Sequence, residues 1–334
     1  MKRRLRTLVY GVSHEHAYGK FESLKRLADD YEIIALADDR PRGTIHFLDE
    51  RIDVEKAVRD GFPVVTEDEA RGMDGIDVVF IETANADLME IASCYAERGV
   101  AMHCDKPCGE AIEPYRTILG KCEERNIPFQ IGYMYRGNPA LQWIWREAQA
   151  GTFGDIRFVE ADMNHNYQSD GYEKYVRSFK GGILYNLGCH LVDMVLPLVG
   201  ADLASAVPFV DGTDGKSFLR FRSGADVLIR TSAYRPGGIL SRRLRIDGTG
   251  CTVDLCPIER FDGRPLKVKV TAGKDESIVD FGVQTDRYAA QLADLAAIVR
   301  GDKPNDQDYG RDFKVHELTL KACGTRLNNF ASLR

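Results

Sequence analysis

The sequence predicts an α/β protein with two domains. An amino-terminal, doubly wound parallel sheet is followed by an α+β domain on a large, open, mostly antiparallel sheet. Three observations predict this. Over the first ~130 residues short β-type runs alternate with amphipathic helical stretches, the rhythm of a parallel sheet with crossover helices. From residue 155 the rhythm changes to runs that alternate apolar and polar residues, as in Asp226-Val-Leu-Ile-Arg-Thr231, which suits an antiparallel sheet with one covered face. The chain, at 334 residues, is long enough for two cores. It shows no repeats and no low-complexity linker. The expected division is therefore 1–133 and 134–334, with the carboxyl-terminal helices free to pack back on the first domain.

In order, the expected strands of the first domain are 5–11, 32–37, 63–65, 76–82, 100–104 and 128–132, each a short β-branched or aliphatic run. Helical spacing fills 17–29, 43–59, 87–98 and 112–125. Asn138-Pro139 opens a further helix, with Asn as N-cap and Pro at the first helical position, and Gly151 or Gly154 ends it. Runs at 156–161, 218–221, 226–231, 243–246 and 266–270 supply the second sheet. Helices at about 183–198, 285–300 and 311–330 complete the chain.

Composition narrows the function. With 44% hydrophobic and 29% charged residues, the chain has the make-up of a soluble globular enzyme. A net charge of −6 offers no basic field for nucleic acid or an anionic membrane. No apolar run approaches the ~20 residues of a membrane span, and the basic start, Met1-Lys-Arg-Arg, lacks the long apolar region of a signal peptide. The eight cysteines form no Cys-x-x-Cys pair, and Cys104-Asp-Lys-Pro-Cys108 has no second Cys/His pair at finger spacing. Scattered thiols in apolar segments fit a reducing, cytoplasmic setting and argue against structural zinc.

Chemistry concentrates in two stretches. His103-Cys-Asp-Lys-Pro-Cys-Gly109 ends a strand at the crevice edge of the parallel sheet, so Lys106 is a positioned cation there. On the long helix of the second domain Asn186, His190 and Asp193 fall at i, i+4 and i+7 and share one face. At the amino end, Gly11-Val-Ser13-His-Glu-His16 follows an apolar run and leads into a helix. A dinucleotide loop would carry Gly-x-Gly-x-x-Gly there, and this chain keeps the first glycine alone.

Taken together these motifs resemble those of the glucose–fructose oxidoreductase / inositol dehydrogenase / MocA family, and the resemblance spans nearly the whole chain. Asp105-Lys106-Pro107 is similar to the family's Glu-Lys-Pro motif, and Thr83-Ala84-Asn85 to its Thr-Pro-Asn turn. Tyr135-Arg136-x-Asn138-Pro139 is similar to the segment opening the linking helix. Gly181-Gly182…Asn186-x-Gly188-x-His190-x-x-Asp193 matches its Gly-Gly…Asp-x-Gly-x-His-x-x-Asp signature. The resemblance implies a Rossmann domain, NAD or NADP, a sugar or polyol substrate and hydride transfer between nicotinamide and a hydroxyl-bearing carbon. It places Gly11, Ser13, His14, His16, Asp38, Thr83, Asn85 and Lys106 at the cofactor. Arg136, Asn164 and His165 join Lys106, Asn186 and His190 at the substrate.

In that frame His190 is the base, since an imidazole titrates near neutral pH. Lys106 hydrogen-bonds the reacting oxygen and stabilises alkoxide charge. Asn186 departs from the family's aspartate, so it can orient the ring but supplies no countercharge. In the loop, Ser13 can cap the helix, and Ser13, His14 and His16 can donate to a pyrophosphate at its amino terminus; Glu15 opposes this unless it points outward. A metal held by His14 and His16, perhaps with His165, is the lesser reading, and none is expected. Asp38, ending the second strand, favours NAD by accepting from ribose hydroxyls, while Arg40 and Arg42 leave NADP open. The open second sheet implies a homodimer or homotetramer. Two other uses of such a fold stay open: NAD-assisted glycoside hydrolysis, and a non-catalytic sugar or nucleotide sensor.

Overall fold

A computed structural model describes residues 2–42 and 51–325. It is built as two compact units. The first runs to Gly132 and takes in Tyr288–Phe313; the second holds Tyr133–Arg287 and the described residues from Lys314 to Thr325.

The first unit contains β1 (Leu5–Tyr10), α1 (Ala17–Arg26), β2 (Tyr31–Asp38), α2 (Val54–Arg59), β3 (Val64–Thr66), α3 (Glu67–Gly72), β4 (Val78–Ile81), α4 (Leu88–Glu97), β5 (Ala101–Cys104), α5 (Ile112–Glu124) and β6 (Phe129–Ile131). Its six strands lie in the order β3-β2-β1-β4-β5-β6, parallel wherever two pair. This is a Rossmann sheet, with its change of direction between β1 and β4. Such a sheet is covered on both faces, and β4 and β5 are accordingly buried at every position. The reversal of strand order opens a crevice at the carboxyl ends of β1 and β4.

The second unit contains α6 (Pro139–Gln149), β7 (Ile156–Asn164), α7 (Asp170–Arg177), α8 (Gly182–Val199), β8 (Leu203–Val210), β9 (Asp214–Phe221), β10 (Asp226–Ser232), β11 (Arg243–Gly248), β12 (Thr252–Leu255), β13 (Lys267–Ala272) and β14 (Asp275–Asp280). Its sheet has the order β14-β13-β12-β11-β7-β10-β9-β8 and is antiparallel except for the β7–β10 pair. Register fixes its faces. Ala206, Leu219, Val227, Val159, Ile246, Val253 and Val270 stand opposite one another across neighbouring strands. In this row the residues from Leu219 to Val253 are buried. Fully burying an aliphatic side chain stabilises by about 1.5–3 kcal/mol. An exposed cross-strand pair offers roughly 0.2–1 kcal/mol, so the buried row sets the register.

Helix α8 lies on that buried face: Gly188 sits against Ile229, and a Cβ added to Gly215 would come within 2.6 Å of the Leu184 Cβ. The Gly-Gly start of α8 is steric. Gly182 has φ +55°, and a Cβ there would stand 2.6 Å from the Gly212 carbonyl oxygen. α8 is 18 residues long with a mean hydropathy of 1.5, enough to cross a membrane by composition, although no such run was expected. It is instead a core helix, with 89% of the stretch buried.

Two helices complete the chain. α9 (Ala289–Arg300) belongs to the first unit, where the Gln291 side chain donates to the Ile131 carbonyl and Gln130 donates back to the Gln291 carbonyl. α10 (Tyr309–Ala322) continues into the second unit. Several boundaries differ from expectation. The helix expected over 43–59 is described only from Val54, after the Asp53 N-cap, and residues 43–50 lie outside the described residues. The helix expected from 285 begins at Ala289, and the one expected over 311–330 runs Tyr309–Ala322 and gives way to a turn at 323–324.

Candidate active site

β1 delivers the chain into a turn at Gly11, whose φ is +103°. A Cβ there would lie 2.5 Å from the carbonyl carbon and oxygen of Glu82, so the turn after β1 can press against the turn after β4 only through glycine. The residues after Gly11 then turn inward. Ser13 does not cap α1; its hydroxyl donates to Asp39 Oδ1 at 2.7 Å, and the N-cap is His16, with no side-chain capping bond. His14 Nδ1 and His16 Nδ1 both meet Asp105 Oδ2, at 2.7 and 2.9 Å. Glu15 is also buried rather than outward, 3.9 Å from Lys106 Nζ. The side chains expected to reach toward a pyrophosphate are thus engaged with carboxylates.

Asp105 is the hub. Besides the two histidines it has Lys20 Nζ at 3.4 Å, and Lys20 donates to Glu82 Oε1 at 2.8 Å. Burial opposes ionisation of Asp105, but His16, Lys20 and His14 outweigh it and hold the carboxyl well below its usual range. Burial presses His14 toward its neutral form; Asp105, by charge and hydrogen bond, outweighs this and raises its pKa, with Glu15 and Glu82 adding to the effect. For His16 burial wins, aided by Lys106, and its pKa falls. Glu82 is pushed up, first by burial and then by Asp105, against the pull of Lys20. His14, His16 and Asp105 have donor atoms within 4.8 Å of one another, so the third partner of the histidine pair is Asp105. This is a metal-like donor set, but Lys20 already neutralises the carboxylate.

Lys106 is fully buried, its amide donating to Asp105 Oδ1 at 2.6 Å. Asn85 donates from its side-chain nitrogen to the carbonyls of Lys106 and Pro107, both at 3.1 Å, and so fixes the turn that carries the lysine. His103, one strand position before Cys104, bonds Gln130 and stacks on Phe80; burial lowers its pKa to about 3, so it is a neutral core residue.

A dinucleotide fits this crevice on an observation independent of motif. His14 Nε2, Asp39 Oδ2 and Thr83 Oγ1 are buried and, among the described residues, find no hydrogen-bond partner. They sit after β1, β2 and β4, three neighbouring strands, around the Gly11 turn. Three unpaired polar atoms on one sheet edge are costly unless a ligand pairs them.

In the second unit His190 is buried on α8 between two aromatic rings, Tyr135 edge-on at 5.1 Å and Tyr133 at 6.2 Å. Tyr135 donates to Glu259 at 2.5 Å and accepts from Arg242 at 2.7 Å. Arg242 also pairs with Glu259 and donates to the Asn164 carbonyl at 3.1 Å. Arg136 forks onto Asp193 with bonds of 2.8 and 3.0 Å while lying over the Tyr133 ring. Asp193 therefore anchors the entry to α6, whose N-cap Asn138 accepts from Ala140 and Leu141. Asn186 is fully buried one turn before His190. Asn164 ends β7 with its Oδ1 buried and, among the described residues, unpaired; His165 beside it stacks on Tyr172 and meets the edge of Tyr167.

Residues 142–254 match the GFO/IDH/MocA C-terminal domain. The matched stretch spans α6 to β12 of the second unit. It is 24% identical over 192 residues to D-apiose dehydrogenase of Paraburkholderia graminis, a match covering 57% of this chain and 47% of that protein. With scyllo-inositol 2-dehydrogenase (NAD(+)) of Bacillus subtilis it shares 23% over 278 residues, 78% of this chain and 77% of that one. The solved structure of UDP-N-acetylglucosamine 3-dehydrogenase from Acidithiobacillus ferrooxidans superposes with a TM-score of 0.76 at 20% identity, covering 97% and 98% of the two chains. The match thus spans about half the length of the first of these relatives. Sequence reasoning missed Lys20, Asp39 and Glu82 in the first unit and Tyr133, Glu259 and Arg242 in the second. Lys20 was readable, since it shares the face of α1 that carries Ala17, Phe21 and Leu24.

Proposed function

We propose that the protein is an NAD-dependent oxidoreductase that moves a hydride between the nicotinamide and a hydroxyl-bearing carbon of a sugar or polyol. The observation that carries this is the Gly11 turn with its three unpaired buried atoms, set in the same unit as the buried Lys106. Backbone amides after Gly11, Thr83 and Asp39 would hold the dinucleotide, which when bound supplies the hydride acceptor. Asn85 positions Lys106, whose ammonium stabilises negative charge developing on the substrate oxygen. The His190 imidazole takes the hydroxyl proton. Asn164 Oδ1 accepts from a further substrate hydroxyl, as a polyhydroxylated ligand requires. The test is a panel of sugars and polyols with NAD and NADP, followed by formation of reduced nicotinamide. Turnover on at least one polyol supports the reading; glycoside cleavage without net reduction, or binding without turnover, contradicts it.

Asn186→Asp would restore a carboxylate one turn from His190. A neighbouring carboxylate raises a histidine by about one unit. The base must be neutral to work, so the acid limb of kcat/KM should move toward higher pH by about that amount. A limb that stays in place would make Asn186 a substrate contact.

We also propose a homo-oligomer formed through the open face of the second sheet, in a reducing compartment suited to eight free thiols. Val207, Phe218 and Leu228 stand in register on that face, next to the exposed Phe209. Further along, the ion pairs Arg230–Asp162 and Arg243–Asp254 cross it. Light scattering should give a dimer or tetramer at micromolar concentration, and Val207→Asp with Phe209→Asp should dissociate it; a wild-type monomer contradicts the proposal.

A further inference from the structure

We propose that Glu15 is a positioning residue for Lys106: its carboxylate, turned inward from the loop after β1, is the counter-charge that holds the lysine ammonium for the reacting oxygen. The inference rests on the reading of Lys106 given above. In the loop itself Glu15 has no such use, since a carboxylate beside a pyrophosphate is repulsive. Its inward turn gives it another.

Two basic groups face Glu15 Oε1: His16 Nε2 at 3.8 Å and Lys106 Nζ at 3.9 Å. They do not share the task. Burial lowers the His16 pKa, and its Nδ1 is turned to Asp105 at 2.9 Å, so at neutral pH the ring is an uncharged spacer. The other basic groups of the cluster serve other acids. Lys20 lies on Glu82 at 2.8 Å and on Asp105 at 3.4 Å, and His14 lies on Asp105 at 2.7 Å. Glu15 is left facing Lys106, and both side chains are buried. A buried ammonium and a buried carboxylate are each costly unless paired.

The two ends of Lys106 are held in different ways. Asn85 and Asp105 fix its backbone, through its carbonyl and its amide. The flexible four-carbon stem leaves Nζ in need of a restraint of its own. At 3.9 Å the Glu15 contact is longer than a hydrogen bond. The carboxylate therefore restrains the ammonium by charge without taking one of its protons, and no donor that a developing alkoxide needs is spent on it.

The experiment is a double-mutant cycle on the full chain: wild type, Glu15→Gln, Lys106→Ala and the double variant. Each is assayed for kcat and KM on the best substrate of the sugar and polyol panel, and titrated with NAD by calorimetry. Glu15→Gln should lower kcat about ten-fold and leave KM and NAD affinity within about two-fold. In the Lys106→Ala background the same substitution should change kcat by less than about two-fold, because the group it positions is gone. A merely structural role would cost the same factor in both backgrounds, and that result overturns the proposal. So does a kcat unchanged or raised in Glu15→Gln while Lys106→Ala is slow, or a loss carried by weaker NAD binding. If Glu15→Gln does not fold, Glu15→Asp decides: it keeps the charge but withdraws it by one methylene. A lower kcat at unchanged KM then supports the proposal, and a wild-type kcat overturns it. Lys106→Ala as fast as wild type overturns the reading of Lys106 itself, and this inference with it.

Discussion

Replacing His190 by alanine is expected to lower kcat/KM by about 10²–10⁴-fold and to remove the acid limb of its pH profile. The residue lies between the Tyr133 and Tyr135 rings, and those rings are held from outside it, by Arg136 over Tyr133 and by Glu259 and Arg242 on Tyr135. Loss of the imidazole should therefore leave α8 and its neighbours in place, which circular dichroism and thermal unfolding can check. Lys106→Ala is expected to cost about 10²–10³-fold through lost stabilisation of the oxyanion, with the acid limb unmoved. The two variants separate the roles: one removes the titration and the other only the rate. If the limb survives in His190→Ala, the base lies elsewhere.

Asp105→Asn is expected to destabilise the protein by about 3–5 kcal/mol, the cost of stranding buried charge by deleting its partner. Lys20, His14 and His16 converge on this carboxylate, and all are buried or nearly so. The pH dependence follows from the directions of the shifts. Asp105 has a depressed folded-state pKa, so its contribution is present above the ordinary carboxylate range and is lost as pH falls through the folded value. His14 has a raised one, so its contribution is complete below about pH 6.5 and is lost as pH rises through the folded value. The gap between wild type and Asp105→Asn in denaturation midpoint should thus be widest at mildly acidic pH and narrow on either side. A gap constant from pH 4 to 9 would show that the histidine pair is not coupled to Asp105 (about these limits the model-compound values bracket both groups).

The sheets were legible because their periodicity is strong: the apolar β1, β4 and β5 read as parallel strands, and β10 as a half-covered one. What escaped the reading has physical causes. β8 carries Pro208 and β14 is charged at half its positions, as suits the two edges of the second sheet, so neither reads as a core strand. α3 was readable, since Thr66 and Glu69 form a capping box, but its six residues are too short for a periodic pattern. α7 hid behind the polar run that ends at its N-cap, Ser169. The parallel pairing of β7 with β10 joins segments far apart in the chain, and no local pattern encodes it. Among the candidate residues, Gly11, Lys106 and His190 were singled out by motif position. The inward turn of Ser13, His14, Glu15 and His16 was not, because it depends on Asp39, Asp105 and Lys106 arriving from other strands.

The most direct test of the account follows the hydride itself. The best substrate of the sugar and polyol panel, deuterated at the carbinol carbon, is incubated with the protein and NAD, and the nicotinamide is analysed by mass spectrometry. The account predicts one deuterium on the reduced nicotinamide ring per ketone formed, greatly slowed in His190→Ala. Product formed without deuterium on the ring would contradict it.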